Sequence, residues 1–304
     1  MSTHFSSALT AAHDAAASQH HPAGTLYMVA TPIGNLADIS LRALHVLSVC
    51  DTLACEDTRH SQTLLRNYGI VRSAHQWLAL HQHNETQVAQ EVLQRLHSGQ
   101  RVAYVSDAGT PAVSDPGARL VRQVQAAGLR VMPLPGASSV TALLSACGSF
   151  TTDTSGFVFL GFLPSKVAER ERAVRSISLD GRTQVLLEAP HRIESLAQAL
   201  AILGDRMVTV GRELTKQFEE IATLSASAMC DWILANPQRT RGEFALVVHA
   251  QAVKSEPMEA HDKMLQLLMQ ELPLKTAVRI SAELTGESRN LLYARALDLK
   301  GGES

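Results

Sequence analysis

Residues 101–139 read RVAYVSDAGTPAVSDPGARLVRQVQAAGLRVMPLPGASS, and this stretch decides the fold. RVAYVS (101–106) and LRVMPLP (129–135) are apolar runs of strand length. Between them, DPGARLVRQVQAAG opens on Asp115 and Pro116, a cap followed by a residue suited to the first helical position. Strand, polar loop, helix and strand in close succession define a parallel βα unit, which places the chain in the α/β class.

The same rhythm extends in both directions. TLYMVA (25–30), DTLACE (51–56) and QWLAL (76–80) read as strands, and Asn84 is placed to cap the helix NETQVAQEVLQRLHSG, whose Val88, Val92 and Leu96 recur every four residues before Gly99 stops it. These segments predict a first α/β domain over 24–150. FVFLGF (157–162), RTQVLLE (182–188), RMVTVGRE (206–213) and GEFALVVHA (242–250) predict a second over 151–252, joined near GSFTTDTSG (148–156). Beyond a polar stretch, 253–304 reads as a small helical segment. Its core, PLKTAVRISAELTGESRNLLYARAL (273–297), is a helix, a Gly286 turn and another helix, a helix-turn-helix-like pattern carrying Lys275, Arg279, Arg289, Arg295 and Lys300. Residues 1–23 read as a disordered extension.

Composition limits the function classes. The 304 residues are 45% hydrophobic and 18% charged with a formal charge of −2, so any nucleic-acid contact must be a local patch. Cys50, Cys55, Cys147 and Cys230 form no CxxC pair and read as reduced cytosolic thiols. No apolar run reaches the ~20 residues of a membrane span, and the first residues lack the basic start of a signal peptide.

In open α/β sheets ligands bind beyond the carboxyl ends of the strands. Here TPIGNLADIS follows the first strand, with Pro32 and Gly34 forcing a turn beside Thr31 and Asn35. EDTRH follows the second and supplies Glu56, Asp57 and Arg59. HQHNE, SDAGTP and GASS follow the next three. Asp115 is explained by the helix it starts, whereas Asp107 has no helix to cap and reads as a ligand group. Glu56 and Asp57 are adjacent on extended chain and face opposite ways, so at most one of them shares the ligand site, and Arg59 pairs with one of the two. His81 and His83 lack a third partner, so no metal site is expected. Glu188 with His191 and Arg192, and the segment GRELTK (211–216), are further candidates, with ion pairing as the competing explanation. A Walker loop and any GxG triplet are missing, which excludes the common dinucleotide and P-loop sites.

Taken in order, TPIGNLADIS, EDTRHS, VSDAGTPAVSDPG, PLPGASS, GFLP (161–164), LLEAPHRI (186–193), GRELTK and RGEFALVV (241–248) resemble the ribosomal RNA small-subunit methyltransferase I family, among the tetrapyrrole-methylase-like enzymes. The resemblance runs from about Gly24 to Leu297. It implies two α/β domains with S-adenosylmethionine in the cleft between them, a homodimer in the cytoplasm, and methylation of the ribose 2′-hydroxyl of a cytidine in the decoding region of 16S rRNA, in the small ribosomal subunit. Carried over by motif, the cofactor residues are Ser106, Asp107, Ala108, Gly109, Thr110, Ser138, Ser139, Leu187, Glu213, Leu214, Thr215, Glu243 and Phe244. Two positions depart from the family pattern: Ala137 stands where relatives often have proline, and Leu187 where they have an aromatic residue.

A ribose hydroxyl is a poor nucleophile and calls for a proton acceptor. Glu188 and His191 are the candidates, with Glu56 and Asp57 behind them. Thr31, Asn35, Glu56 and Asp57 are candidates on the substrate side, and Arg59, Arg192, Arg212, Lys216, Arg239 and Arg241 are candidate RNA cations. The alternatives are a tetrapyrrole or other small-molecule methylase of the same fold, or a non-catalytic rRNA-binding assembly factor.

Overall fold

A computed structural model describes residues 6–80, 84–149, 156–251 and 258–301. His81, His83 and most of the 148–156 junction lie outside the described residues. An N-terminal helix, α1 (Ser6–Ala16), precedes a five-stranded sheet built from β1 (Thr25–Val29), β2 (Thr52–Cys55), β3 (Trp77–Ala79), β4 (Val102–Val105) and β5 (Arg130–Leu134). The strands are all parallel, in the order β3-β2-β4-β1-β5. Between and after them run α2 (Leu41–Val49), α3 (Thr58–Asn67), α4 (Glu85–His97), α5 (Gly117–Ala126) and α6 (Ser139–Ala146).

β1, β2 and β4 are buried along their whole length, as central parallel strands covered on both faces must be. Alternation divides their side chains. Tyr27, Val29, Leu53 and Cys55 pack with Leu44, Leu47 and Leu65, while Leu26, Met28, Ala54 and Tyr104 pack with Val92, Leu96, Leu120 and Val124 on the opposite face.

Residues 6–23 do not form the disordered extension that their composition predicts. Ala12 and Ala16 are buried, and Ala12 belongs to the same core as Leu44 and Leu47 of α2. The following turn is fixed too: Tyr27 Oη donates to the Pro22 carbonyl at 2.9 Å, and Arg101 Nε to the His21 carbonyl at 2.9 Å. An alanine face gives no large-residue periodicity, so the sequence hides a helix that packs through close approach. Asn84 departs from expectation in detail. Its carboxamide donates to the Ala79 carbonyl at 2.8 Å rather than capping α4.

The second sheet is mixed. β6 (Phe157–Phe162), β7 (Thr183–Glu188), β8 (Met207–Arg212), β9 (Glu220–Ser225) and β10 (Phe244–Val248) lie in the order β6-β7-β10-β8-β9. Only β6 and β7 are parallel; β10 runs antiparallel to β7 and β8, and β8 to β9. The helices α7 (Val167–Leu179), α8 (Ile193–Leu200) and α9 (Met229–Leu234) cover one face through Leu186, Val208, Val210 and Leu246. The other face presents Val185, Ala245 and Val247 to Val140, Leu143 and Leu144 of α6. Helix α6 therefore belongs to both halves, and both sheets fall in one compact unit.

A second compact unit gathers 179–181 with Gln251 onward. Its helices α10 (Met258–Glu271), α11 (Leu274–Thr285) and α12 (Arg289–Gly301) enclose Leu265, Val278, Leu292 and Ala296. Arg295 grips Asp262 through two bonds of 2.9 and 2.6 Å.

Candidate active site

The loop 106–115, leaving β4, is the hub around which the site is built. Gly109 takes φ +81° and exchanges two backbone bonds with Thr31, at 3.0 and 3.1 Å, which join it to the loop after β1. Thr110 Oγ1 donates to the Ala137 carbonyl at 3.1 Å and fastens the loop after β5. Asp107 Oδ1 accepts from the Asp57 amide at 3.2 Å and fastens the loop after β2. Four strand-end loops thus become one connected surface.

Asp115 supports the hub from behind. Its Oδ2 accepts from the Ala112 amide at 2.8 Å, and its Oδ1 from the Gly117 amide at 2.7 Å and from Tyr104 Oη at 3.1 Å. Ala112 is held at φ +69°, a conformation that costs a non-glycine residue energy unless its surroundings fix it. Only glycine fits at 117: an added Cβ would lie 2.5 Å from the Tyr104 ring and 2.7 Å from Asp115 Oδ1.

Facing this hub across the cleft are three segments of the second sheet. Glu188, at the end of β7, is 2% exposed. Its Oε1 accepts from the Ala189 amide at 2.9 Å and lies 3.1 Å from Arg192 Nε, whereas its Oε2 is buried without a hydrogen-bond partner among the described residues. After β8, Glu213 and Thr215 adopt φ of +52° and +67°, and Leu214 between them is buried against the cleft. The Glu213 and Glu243 segments are clasped together. The Glu213 amide donates to the Glu243 carbonyl at 3.0 Å, the Glu243 amide to Glu213 Oε1 at 3.0 Å, and Lys216 Nζ to both carboxylates at 2.8 and 3.0 Å.

These parts enclose a cavity of about 380 Å³, within the range of small-molecule sites. From the first half it is lined by Ile33, Glu56, Ser106–Thr110, Val113–Asp115 and Ser138–Val140. From the second come Phe162, Leu187–Pro190, Leu214 and Glu243–Ala245. Among the described residues the lining includes the acidic Glu56, Asp107, Asp115, Glu188 and Glu243 and no basic residue. Burial, with the negative charges of Asp107 and Asp115 adding to it, raises the pKa of Glu56 above its ordinary value. Burial also opposes ionisation of Glu213, yet hydrogen bonds from Lys216 and the Glu243 amide outweigh it and hold that carboxyl below its usual pKa.

The structure brings most of the sequence-derived cofactor candidates to this lining: Ser106, Asp107, Ala108, Gly109, Thr110, Ser138, Ser139, Leu187, Leu214, Glu243 and Phe244. Glu213 and Thr215 are not part of it; their backbone turns present Leu214. Glu188 and Glu56 line it, whereas His191 is exposed and does not.

Several substrate-side candidates are engaged with other parts of the protein. Asp57 caps α3, accepting from the Arg59 amide at 2.8 Å and pairing with the Arg59 side chain. Asn35 accepts from the Ala37 amide at 3.1 Å, and Thr31, 1% exposed, bonds Gly109 through its backbone while its Oγ1 is buried without a partner among the described residues. Arg192 is held by Glu188 and the Leu163 carbonyl. Arg212 is 8% exposed, donates to the Arg241 and Phe218 carbonyls and lies 3.5 Å from Glu220. Arg239 pairs with the same Glu220 at 2.7 Å and stacks 4.1 Å over the Trp232 ring. These three guanidiniums join parts of the second sheet and are not surface cations; Arg59 and Arg241 remain exposed. Sequence reasoning overlooked Ile33, Val140 and Phe162 in the lining. Each sits inside or beside a quoted motif, but a search for polar groups passes over apolar walls.

Residues 25–229 match the family model described as Tetrapyrrole (Corrin/Porphyrin) Methylases, and 255–300 that of the RsmI C-terminal HTH domain. Cobalt precorrin-4 methyltransferase, a cobalamin biosynthetic enzyme, superposes with a TM-score of 0.54 at 18% identity over 74% of this chain and 94% of that one. Uroporphyrin-III C-methyl transferase from Thermus thermophilus, solved in complex with S-adenyl homocysteine, gives 0.51 at 15% identity over 73% and 96%. At such identities the likeness establishes the fold, and with the family model it defines a methyltransferase of the tetrapyrrole-methylase class. Ribosomal RNA small subunit methyltransferase I from Pseudomonas aeruginosa is 44% identical over 284 residues, 92% of this chain and 99% of that protein. The chain belongs to the ribosomal RNA small subunit methyltransferase I family.

Proposed function

We propose that the cleft between the two sheets binds S-adenosylmethionine and that the protein methylates the ribose 2′-hydroxyl of a cytidine in the decoding region of 16S rRNA, within the small ribosomal subunit. The observation that carries this reading is a buried carboxylate oxygen, Glu188 Oε2, without a donor among the described residues in a cavity shared by both sheets. A buried acceptor left unpaired costs about 1–3 kcal/mol, which a ligand donor would recover. The remaining lining fits the same ligand. Carboxylates suit its ammonium, ribose hydroxyls and sulfonium charge, and Ala108 and Gly109 let backbone come close. Asp107 would take ribose hydroxyls, the amides of the 106–110 loop its carboxylate, and Leu187, Leu214 and Phe244 its adenine.

The bound cofactor supplies a methyl group activated by a sulfonium leaving group. With both ligands bound, the cleft residues would have to hold the hydroxyl oxygen in line with that carbon, since such transfer requires the reacting atoms roughly 3–3.5 Å apart. Glu188 Oε2 accepts the hydroxyl proton, and Arg192 beside Oε1 fixes the carboxylate's orientation. Glu56, on the same lining, adds a second carboxyl, whose pKa burial and the neighbouring Asp107 and Asp115 raise. An acidic cavity repels phosphate, so the RNA backbone is gripped outside it, by Arg59 and Arg241; the C-terminal unit, taken by itself, carries the exposed cations Lys275, Arg279, Arg289 and Lys300. The enzyme works in the cytoplasm as a homodimer. Phe157 and Leu160, exposed on the edge strand β6, offer apolar surface for the second copy.

The test is methyl transfer from labelled S-adenosylmethionine to purified, unmodified small subunits, followed by alkaline hydrolysis. A 2′-O-methyl group blocks cleavage, so label in an alkali-stable dinucleotide that begins with cytidine is the expected result. Label on a base, or transfer to a porphyrin precursor but not to subunits, would overturn the proposal.

A further inference from the structure

A second cavity, of about 290 Å³, adjoins the first and shares Ile33, Asp107, Ala108 and Glu243 with it. Its far wall is one face of α3, where His60, Thr63, Leu64 and Asn67 recur at helical spacing. Lys216 closes it from the second sheet, with Nζ fixed between Glu213 and Glu243.

The two chambers differ in charge. Among the described residues the first is lined by carboxylates without a basic group, whereas the second shares Asp107 and Glu243 with it but adds His60 and Lys216, whose charge is taken up by Glu213 and Glu243, so the second is the less acidic chamber. They differ in hydrogen bonding as well. The α3 wall offers an imidazole, a hydroxyl and a carboxamide, and the carboxamide both donates and accepts. Thr63 Oγ1 already donates to the Arg59 carbonyl at 2.9 Å, so toward the cavity it acts as an acceptor. A polar edge with mixed donors and acceptors beside the apolar Leu64 and Pro32 matches a nucleobase.

We propose that the second cavity is the subsite for the target nucleotide. A single pyrimidine nucleotide, swung out of its RNA strand, docks with its ribose at Asp107 and Ala108, where the two chambers meet and its 2′-hydroxyl can reach toward the Glu188 side, and with its base edge toward His60 and Asn67. The inference rests on the methyl-transfer reading above and adds the residues that select the base. A base reached this way must leave its stack, as with other enzymes that act on single nucleotides. Transfer then takes place where the chambers adjoin, at the residues they share, with the hydroxyl oxygen and the methyl carbon in direct contact.

The experiment compares wild type with Asn67→Leu, which keeps the side-chain size and removes both polar groups, and with the exposed His60→Ala. Unmodified small subunits are the substrate, and S-adenosylhomocysteine binding is measured by calorimetry. Loss of a base-edge contact predicts a fall of roughly 10- to 100-fold in kcat/KM for subunits, with cofactor affinity within about 2-fold of wild type. Asn67→Leu should also discriminate less between cytidine and uridine at the target position. Unchanged kcat/KM in both variants, or a parallel loss of cofactor affinity, would overturn the subsite. If wild type itself transfers no methyl to subunits while binding cofactor normally, the methyl-transfer reading has failed instead.

Discussion

Replacing Asp115 with asparagine tests whether this carboxylate acts by holding the 106–115 loop or by touching the ligand. It lines the cavity, yet both oxygens are already engaged, by the amides of Ala112 and Gly117 and by Tyr104 Oη. Asparagine has one acceptor oxygen. If that oxygen keeps Gly117 and Tyr104, the new NH2 group opposes the Ala112 amide, donor against donor, at a residue held at φ +69°. An amide left unsatisfied in a partly buried site costs about 1–3 kcal/mol. Taking about 2 kcal/mol, and 2–4 °C per kcal/mol for a unit of this size, Asp115→Asn should lower the cofactor-free Tm by about 4–8 °C. The same energy, if expressed as loosening of the loop, weakens S-adenosylhomocysteine binding by up to ~30-fold. Differential scanning fluorimetry without ligand and calorimetry with it measure the two effects. Wild-type values for both would refute the reasoning. An unchanged Tm with weakened binding would refute it differently, by showing that Asp115 is a direct ligand.

Two further outcomes follow from the lining. Glu56 has its pKa raised, chiefly by burial and then by Asp107 and Asp115. Below the ordinary carboxylate pKa both folded and unfolded chains hold the proton; above it the unfolded chain ionises first, so stability falls as pH rises through the folded value. Glu56→Gln should therefore raise Tm at pH 8 and leave it unchanged near pH 4, and an equal shift at both pH values would contradict this. Glu188→Gln should reduce kcat for subunit methylation by ~10²–10⁴-fold while S-adenosylhomocysteine affinity stays within a few-fold, because Oε1 contacts survive and the proton acceptor does not. A kcat near wild type would remove Glu188 from the chemistry.

What was legible in the sequence depended on how local its physical cause is. Buried parallel strands announce themselves as apolar runs, and β1, β2 and β4 fall inside the segments that the residues suggest. Strand β9 does not: Glu220–Ser225 lies at a sheet edge with no fully buried side chain, so its pattern is weak. Helix α1 was hidden because alanines pack by proximity and not by bulk. The arginines show a different limit. Nothing in the neighbourhood of Arg239 reveals Trp232 beneath it, or that Glu220 serves Arg212 as well. Whether a cation is free or internal is a property of tertiary contacts, and local sequence leaves it open.

The motifs that identify the family are physically one object. SDAGTP, TPIGNL, EDTR and PLPGASS are spread over more than a hundred residues, yet the structure joins the first to each of the others by backbone or short side-chain bonds through Gly109, Asp107 and Thr110. Changing one loop therefore strains its neighbours. That coupling explains why the combination of motifs carries information that no single one does, since a lone Asp-Ala-Gly-Thr only forms a turn. It also divides the turn-rich stretch after β4 into two functions. Ser106 to Thr110 meets the ligand, and Asp115 with Gly117 and Tyr104 fixes where that meeting happens.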